Sequence, residues 1–158
     1  MHLKPKTPKK INGRVKSLIQ ELNLDHKNST FLRLTARDKS YRAGYCFNNC
    51  ELESKKTGAK VVYGWQIWED PKKSFIEAEF HAVIKENGSL LDISPRQTGE
   101  EKILFIEDSL RSSGRKSDDA WYSWTNLKMI NGFVAETVKE CEVVELDETY
   151  SELRILEG

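Results

Sequence analysis

No stretch of the chain is apolar over the roughly twenty residues that a membrane-spanning helix needs, and the basic, proline-containing start lacks the apolar segment of a secretory signal. Membrane insertion and export are therefore not expected. Three cysteines, two of them only four positions apart, make a poor disulfide framework and imply a reducing cytoplasm. Internal repeats, a phosphate-cradling glycine loop and a dinucleotide-binding glycine fingerprint are all missing. The 25 basic and 25 acidic side chains cancel, and 158 residues at 38% hydrophobic suit one globular domain, 1–158, with a sizeable core.

What the chain has begins with a basic run from Met1 to Lys16: Lys4, Lys6, Lys9, Lys10, Arg14 and Lys16, with no acid before Glu21. No aromatic residue interleaves with the lysines, so residues 1–10 read as a solvated, flexible terminus and nucleic acid is not an expected partner. Val15, Leu18, Ile19 and Leu22 are at helical spacing and predict an amphipathic helix over Ile11 to Leu22. Thr30 to Thr35 reads as a short strand, Lys60 to Trp68 as a strand with aromatics on both faces, and Lys102 to Glu107 as a buried one. Polar Ser109 to Asp119 reads as a mobile loop. Trp121, Trp124 and Leu127 are at helical spacing and predict a helix over Asp118 to Ile130, stopped by Asn131-Gly132. From Phe133 onward the chain turns acidic, and helix and strand patterns are not separable.

The segment 41–95 carries the chemistry. Asn87-Gly88 between apolar runs predicts a two-residue type I′ turn. That turn sets Glu86 opposite Ser89, Lys85 opposite Leu90, Ile84 opposite Leu91 and, further along, His81 opposite Ser94. Phe80, Ala82, Ile84, Leu91 and Ile93 then share the core face, while His81, Val83, Leu90, Asp92 and Ser94 share the other. His81 and Asp92 become diagonal neighbours with backbones roughly 7 Å apart, a gap that an imidazole and a carboxylate can close. Glu77 and Glu79 fall on the face of His81 and read as solvated strand surface or as a rim for a cationic or amide-bearing substrate.

Cys46 and Cys50 are one helical turn apart. Gly44-Tyr45 precedes them as a turn, and Lys55-Lys56-Thr57-Gly58 is a helix end. Cys46 therefore falls in the first turn, where unpaired N–H groups and the helix dipole favour a thiolate. Cys50 and Cys141 read as small buried apolar residues.

Gly44-x-Cys46 followed by a helix, then Val62-Tyr63-Gly64-Trp65, Phe80-His81-Ala82-Val83 and Asp92-Ile93-Ser94-Pro95, resembles the core of the transglutaminase-like branch of the papain-type cysteine hydrolases. The resemblance covers roughly a third of the chain and extends to bacterial and phage proteins with Gly-Trp, Glu-x-x-x-His and Asp-x-[Ser/Thr]-Pro segments. It implies Cys46 as nucleophile, His81 as base and Asp92 as the residue that orients His81. The chain departs from that family at Val83, where Trp is usual, at Ile93-Ser94-Pro95, and in having no glutamine shortly upstream of Cys46.

The expected fold is α+β: an antiparallel sheet of about four or five strands packed on the cysteine-bearing helix in a papain/transglutaminase-like core, with flanking terminal helices. The expected function is cysteine-dependent hydrolysis or acyl transfer at an amide bond, the partner being an amide-bearing substrate such as a protein or peptide. It needs no cofactor and no metal. Tyr45, Asn48, Trp65 and Gln66 are the candidates for a second oxyanion donor or substrate contact. Two alternatives stand beside it: a zinc site of Cys46, Cys50 and His81 with Asp92 or Cys141 as fourth ligand, and a catalytically inactive papain-like binding module.

Overall fold

Asn12 opens the first helix, its side-chain oxygen accepting the Val15 N–H at 3.0 Å. This helix, α1 (Gly13–Glu21), buries Val15, Leu18 and Ile19. Leu22, just beyond its end, is buried with them. A second helix, α2 (Cys46–Thr57), ends where Gly58 takes the left-handed conformation and returns its N–H to Ser54. The rest is strand: β1 (Ser29–Arg33), β2 (Lys60–Asp70), β3 (Phe75–Glu86), β4 (Ser89–Leu91), β5 (Lys102–Glu107), β6 (Gly114–Ser117), β7 (Ala120–Trp124), β8 (Leu127–Ile130), β9 (Phe133–Glu136), β10 (Glu140–Glu145) and β11 (Ser151–Ile155). These elements belong to a computed structural model that describes residues 2–96, 98–145 and 151–156. The class is α+β, and among the described residues no helix is long and apolar enough to cross a membrane.

The strands form two antiparallel sheets. A seven-stranded sheet runs β1-β5-β2-β3-β8-β9, with β4 also paired to β3, and a four-stranded sheet runs β11-β10-β7-β6. The β3–β4 hairpin has the expected register, Glu86 opposite Ser89 through Ile84 opposite Leu91, with Asn87 and Gly88 at φ 52° and 80°. Pairing of β3 with β2 is continuous from Phe75 to Lys85. On its other edge β8 covers Phe75 to Ala78 and β4 covers Ile84 to Glu86. Glu79 to Val83 is left between them, and this gap positions the site.

Both faces of the large sheet are buried. Helices α1 and α2 cover the face of Trp65, Ile67, Phe80, Ala82 and Ile84. On the opposite face Leu32, Val62, Val83, Ile103 and Phe105 form a smaller cluster. Each such aliphatic side chain contributes roughly 1.5–3 kcal/mol by leaving water. Gly64 lies directly opposite His81. A Cβ there would meet the Ile106 carbonyl oxygen at 2.0 Å and the Phe105 ring at 2.7 Å, so β5 can approach β2 this closely only over a glycine.

Four expectations are corrected. The sheet of about four or five strands is seven-stranded and is joined by a second sheet of four, because strands pair across long stretches of chain that no local pattern links. Asp118 to Ile130 is not a helix but β7 and β8, and the described residues of the acidic region beyond it include β9, β10 and β11 and no helix. Residues three apart fall on alternating faces of a strand, and here Trp121 is buried while Trp124, on the other face, is only half-buried. Aromatic residues favour strands, and the partner that buries Trp121 and Ser123 is β10, which no local window contains. Ser109 to Asp119 is not wholly loop, because Gly114–Ser117 pairs with β7 and the Arg115 guanidinium holds Glu51 on α2 at 2.5 Å. The basic start is tied down rather than free: the Lys6 and Glu69 backbones exchange hydrogen bonds of 2.8 Å, and Thr7 Oγ1 donates to the Lys102 carbonyl at 2.8 Å.

Candidate active site

The α2 start has no local cap. Gly44, at φ 81°, turns the chain into the helix, and Tyr45 at the cap position makes no side-chain capping bond. The exposed first-turn N–H groups are met from a distant strand. Glu145, at the end of β10, accepts the Asn48 N–H at 2.8 Å and also that of Phe47. Burial pushes the Glu145 carboxyl up to about 7 in spite of these two donors, and its second oxygen has no hydrogen-bond partner among the described residues.

Cys46 is the first residue of α2 and is half-buried, whereas Cys50 and Cys141 are buried. Burial raises the Cys50 thiol far above its ordinary value, with the neighbouring Cys46 and Glu145 adding to it, and pushes Cys141 up to about 11. Both are kept as neutral thiols.

His81 lies in the uncovered stretch of β3. Its Nε2 is 3.1 Å from Asp92 Oδ1, with His81 7% exposed and Asp92 fully buried. The contact expected between the two side chains is thus present, but the expected pairing of Val83 with Asp92 and of His81 with Ser94 is not, because the β3–β4 ladder ends at Ile84 and Leu91. The chain carrying Asp92 leaves the ladder after Leu91 and is fixed against the end of β1, where the Thr35 N–H donates to the Asp92 carbonyl at 2.8 Å. The second carboxylate oxygen of Asp92 meets the Arg96 guanidinium in an ion pair that is itself buried. Arg96 Nη1 also donates to the Ser94 carbonyl, and desolvation pulls the guanidinium down to about 10. Phe105, standing over Gly64, packs edge-on to the imidazole with centroids 6.4 Å apart. His81 is therefore held on two sides, and its Nδ1 is the nitrogen left for other chemistry.

A cleft of about 420 Å³ joins these groups. Through the gap in β3 it is lined by Cys46 and Phe80 from the helix-bearing side and by His81, Gln66 and Glu79 from the other. Among the described residues no hydrogen bond joins Cys46 to His81. Of the other candidates, Gln66 lines the cleft at 2% exposure, and its Nε2 has no hydrogen-bond partner among the described residues. Trp65 does not: its indole N–H donates to Asp108 at 2.8 Å in the core. Tyr45, stacked under Arg42, and Asn48 are also outside the lining. Among the described residues no group of three His, Cys, Asp or Glu could hold a metal ion, which removes the geometric basis of the zinc alternative.

Sequence reasoning missed Arg96 and Glu145. A signal existed for Arg96, four residues after Asp92 and just beyond Pro95. None existed for Glu145, 97 residues from the amide it caps. Comparison with protein-family models, curated proteins and solved structures gives no match for the chain.

Proposed function

We propose that this protein is a cysteine-dependent hydrolase or acyltransferase acting on an amide bond, built on a papain/transglutaminase-like core. The observation that carries the reading is the buried His81–Asp92 pair at 3.1 Å, opening on the cleft that the Cys46 thiol shares. The Cys46 sulfur attacks the amide carbon, and the His81 ring carries the thiol proton to the departing amine. Asp92 orients His81 through Nε2, so that Nδ1 is the nitrogen that exchanges the proton. Gln66, whose Nε2 has no hydrogen-bond partner among the described residues, is the second donor to the oxyanion beside the Cys46 N–H. Water as second acceptor gives hydrolysis, and an amine gives transfer.

Alkylation by iodoacetamide at about pH 6 tests the reading, since a thiolate paired with an imidazolium reacts where an ordinary thiol is silent. Cys46 is expected to label first, ahead of Cys50 and Cys141, and His81→Ala to slow it by about tenfold or more. Labelling that begins at Cys141, or a rate indifferent to His81→Ala, removes the reading.

A further inference from the structure

A second opening, at the far end of β2, has a different chemistry. The segment from His2 to Lys9 runs alongside the end of β2, held by the Lys6–Glu69 bridge and by the Lys4 N–H, which donates to Asp70 Oδ2 at 2.9 Å. The turn Pro71–Lys73 forms the opposite wall. Between them lies a groove of about 590 Å³ whose lining includes five lysines, Lys4, Lys6, Lys9, Lys72 and Lys73. Along the extended segment exposure alternates, so His2, Lys4 and Lys6 point outward while Leu3, Pro5 and Thr7 are half-buried. Outward neighbours on such a segment are roughly 6.6 Å apart.

The two acids in the lining are outnumbered by the five lysines and, among the described residues, form no ion pair with them. Glu69 is buried and engaged by Asn12 and Arg14, and Asp70 is buried and accepts the Lys4 backbone N–H. Among the described residues none of the five lysines takes part in an ion pair. Ammonium groups gathered around one groove with no ion-pair partner repel one another, and a multivalent anion relieves that repulsion. Ammonium ions bind phosphate oxygens as point charges without demanding one geometry. Among the described residues no Phe, Tyr or Trp lines the groove, and the His2 imidazole is the one aromatic ring in the lining, so ammonium groups dominate it.

We infer that this groove is a binding site for a polyphosphorylated anion, recognised by its phosphates alone, as in an inorganic polyphosphate or the backbone of a nucleic-acid strand. The site is independent of Cys46 and of the reaction proposed for it.

Two probes distinguish the sources: inorganic tripolyphosphate, by calorimetry, and a labelled oligothymidylate of about a dozen nucleotides, by anisotropy. At about 50 mM salt at least one is expected to bind, with affinity falling steeply toward about 200 mM. Oligothymidylate binding identifies the strand backbone, and tripolyphosphate binding alone identifies a compact polyphosphate. Lys4→Gln with Lys6→Gln, and separately Lys72→Gln with Lys73→Gln, should each weaken binding by about tenfold or more and flatten the salt dependence. Lys27→Gln, outside the groove, and Cys46→Ala should leave it unchanged. Failure of both probes to bind at low salt overturns the inference, as does an equal loss in Lys27→Gln.

Discussion

The two openings of this molecule use charge in opposite ways. Around the cleft at the β3 gap the charged groups of the site are buried and matched by neighbours, Asp92 by His81 and Arg96 and, at the nearby start of α2, Glu145 by backbone amides, with Glu79 alone exposed at the rim. In the groove beside the end of β2 the lysines are exposed and unpaired. A buried charge must be matched by its neighbours, because desolvation costs several kcal/mol per ion. An exposed one is matched by water and screened by salt. The cleft is therefore a structure whose members depend on each other for stability, whereas the groove lysines are coupled only by a repulsion that water and salt screen.

The largest expected effect lies in the cleft. Asp92→Ala strands Arg96 as an uncompensated buried cation and frees His81, and should cost about 3–5 kcal/mol of stability in denaturant unfolding. A loss below about 1 kcal/mol would mean that water already reaches the pair, and the contrast between the two openings would collapse.

Glu145 gives a smaller, pH-dependent effect. Its carboxyl lies near 7 in the fold against an ordinary 4.5, so the proton is bound more tightly in the folded state. Its contribution to stability is then full below about pH 4.5 and is lost as pH rises through about 7. Glu145→Gln keeps an oxygen for the α2 amides and removes that loss. The variant should match the parent near pH 4 and exceed it by on the order of 1–3 kcal/mol near pH 8, measured by thermal or denaturant unfolding across that range. Equal stability at both ends would place the Glu145 carboxylate in water.

At the groove the expected change is close to nothing. Lys72→Gln should leave stability within about 0.5 kcal/mol of the parent at low salt, because the ammonium it removes has no partner. A larger loss would reveal an interaction binding that lysine to the fold and would erase the difference between the openings.

Legibility follows the reach of each interaction. The β3–β4 hairpin could be read because Asn87 and Gly88 both need positive φ, and a two-residue turn then sets the cross-strand neighbours from Glu86 and Ser89 to Ile84 and Leu91, beyond which Asp92 is held by the end of β1. Helix α2 could be read for the same reason, with its cysteines, its lysines and Gly58 at fixed offsets. Strands β7 and β8 could not, because Trp121-Tyr122-Ser123-Trp124 is compatible with two periods and the choice was made by pairing with β10. The basic start was misread as free because the bridge from Lys6 to Glu69 spans 63 residues of chain and no residue near Lys6 announces it.

The sequence by itself determined the helix that begins at Cys46, the turn and register of the β3–β4 hairpin, and the apolar face that packs under the helices, because each depends on residues a few positions apart and on fixed backbone periods. Only the tertiary structure decided that a gap between β4 and β8 opens His81 to the same cleft as Cys46, that Arg96 matches Asp92, that Glu145 caps α2, and that five lysines from two segments face one groove. Those outcomes rest on contacts between distant segments and on the cost of leaving buried polar groups unmatched, which is settled when the whole chain has packed.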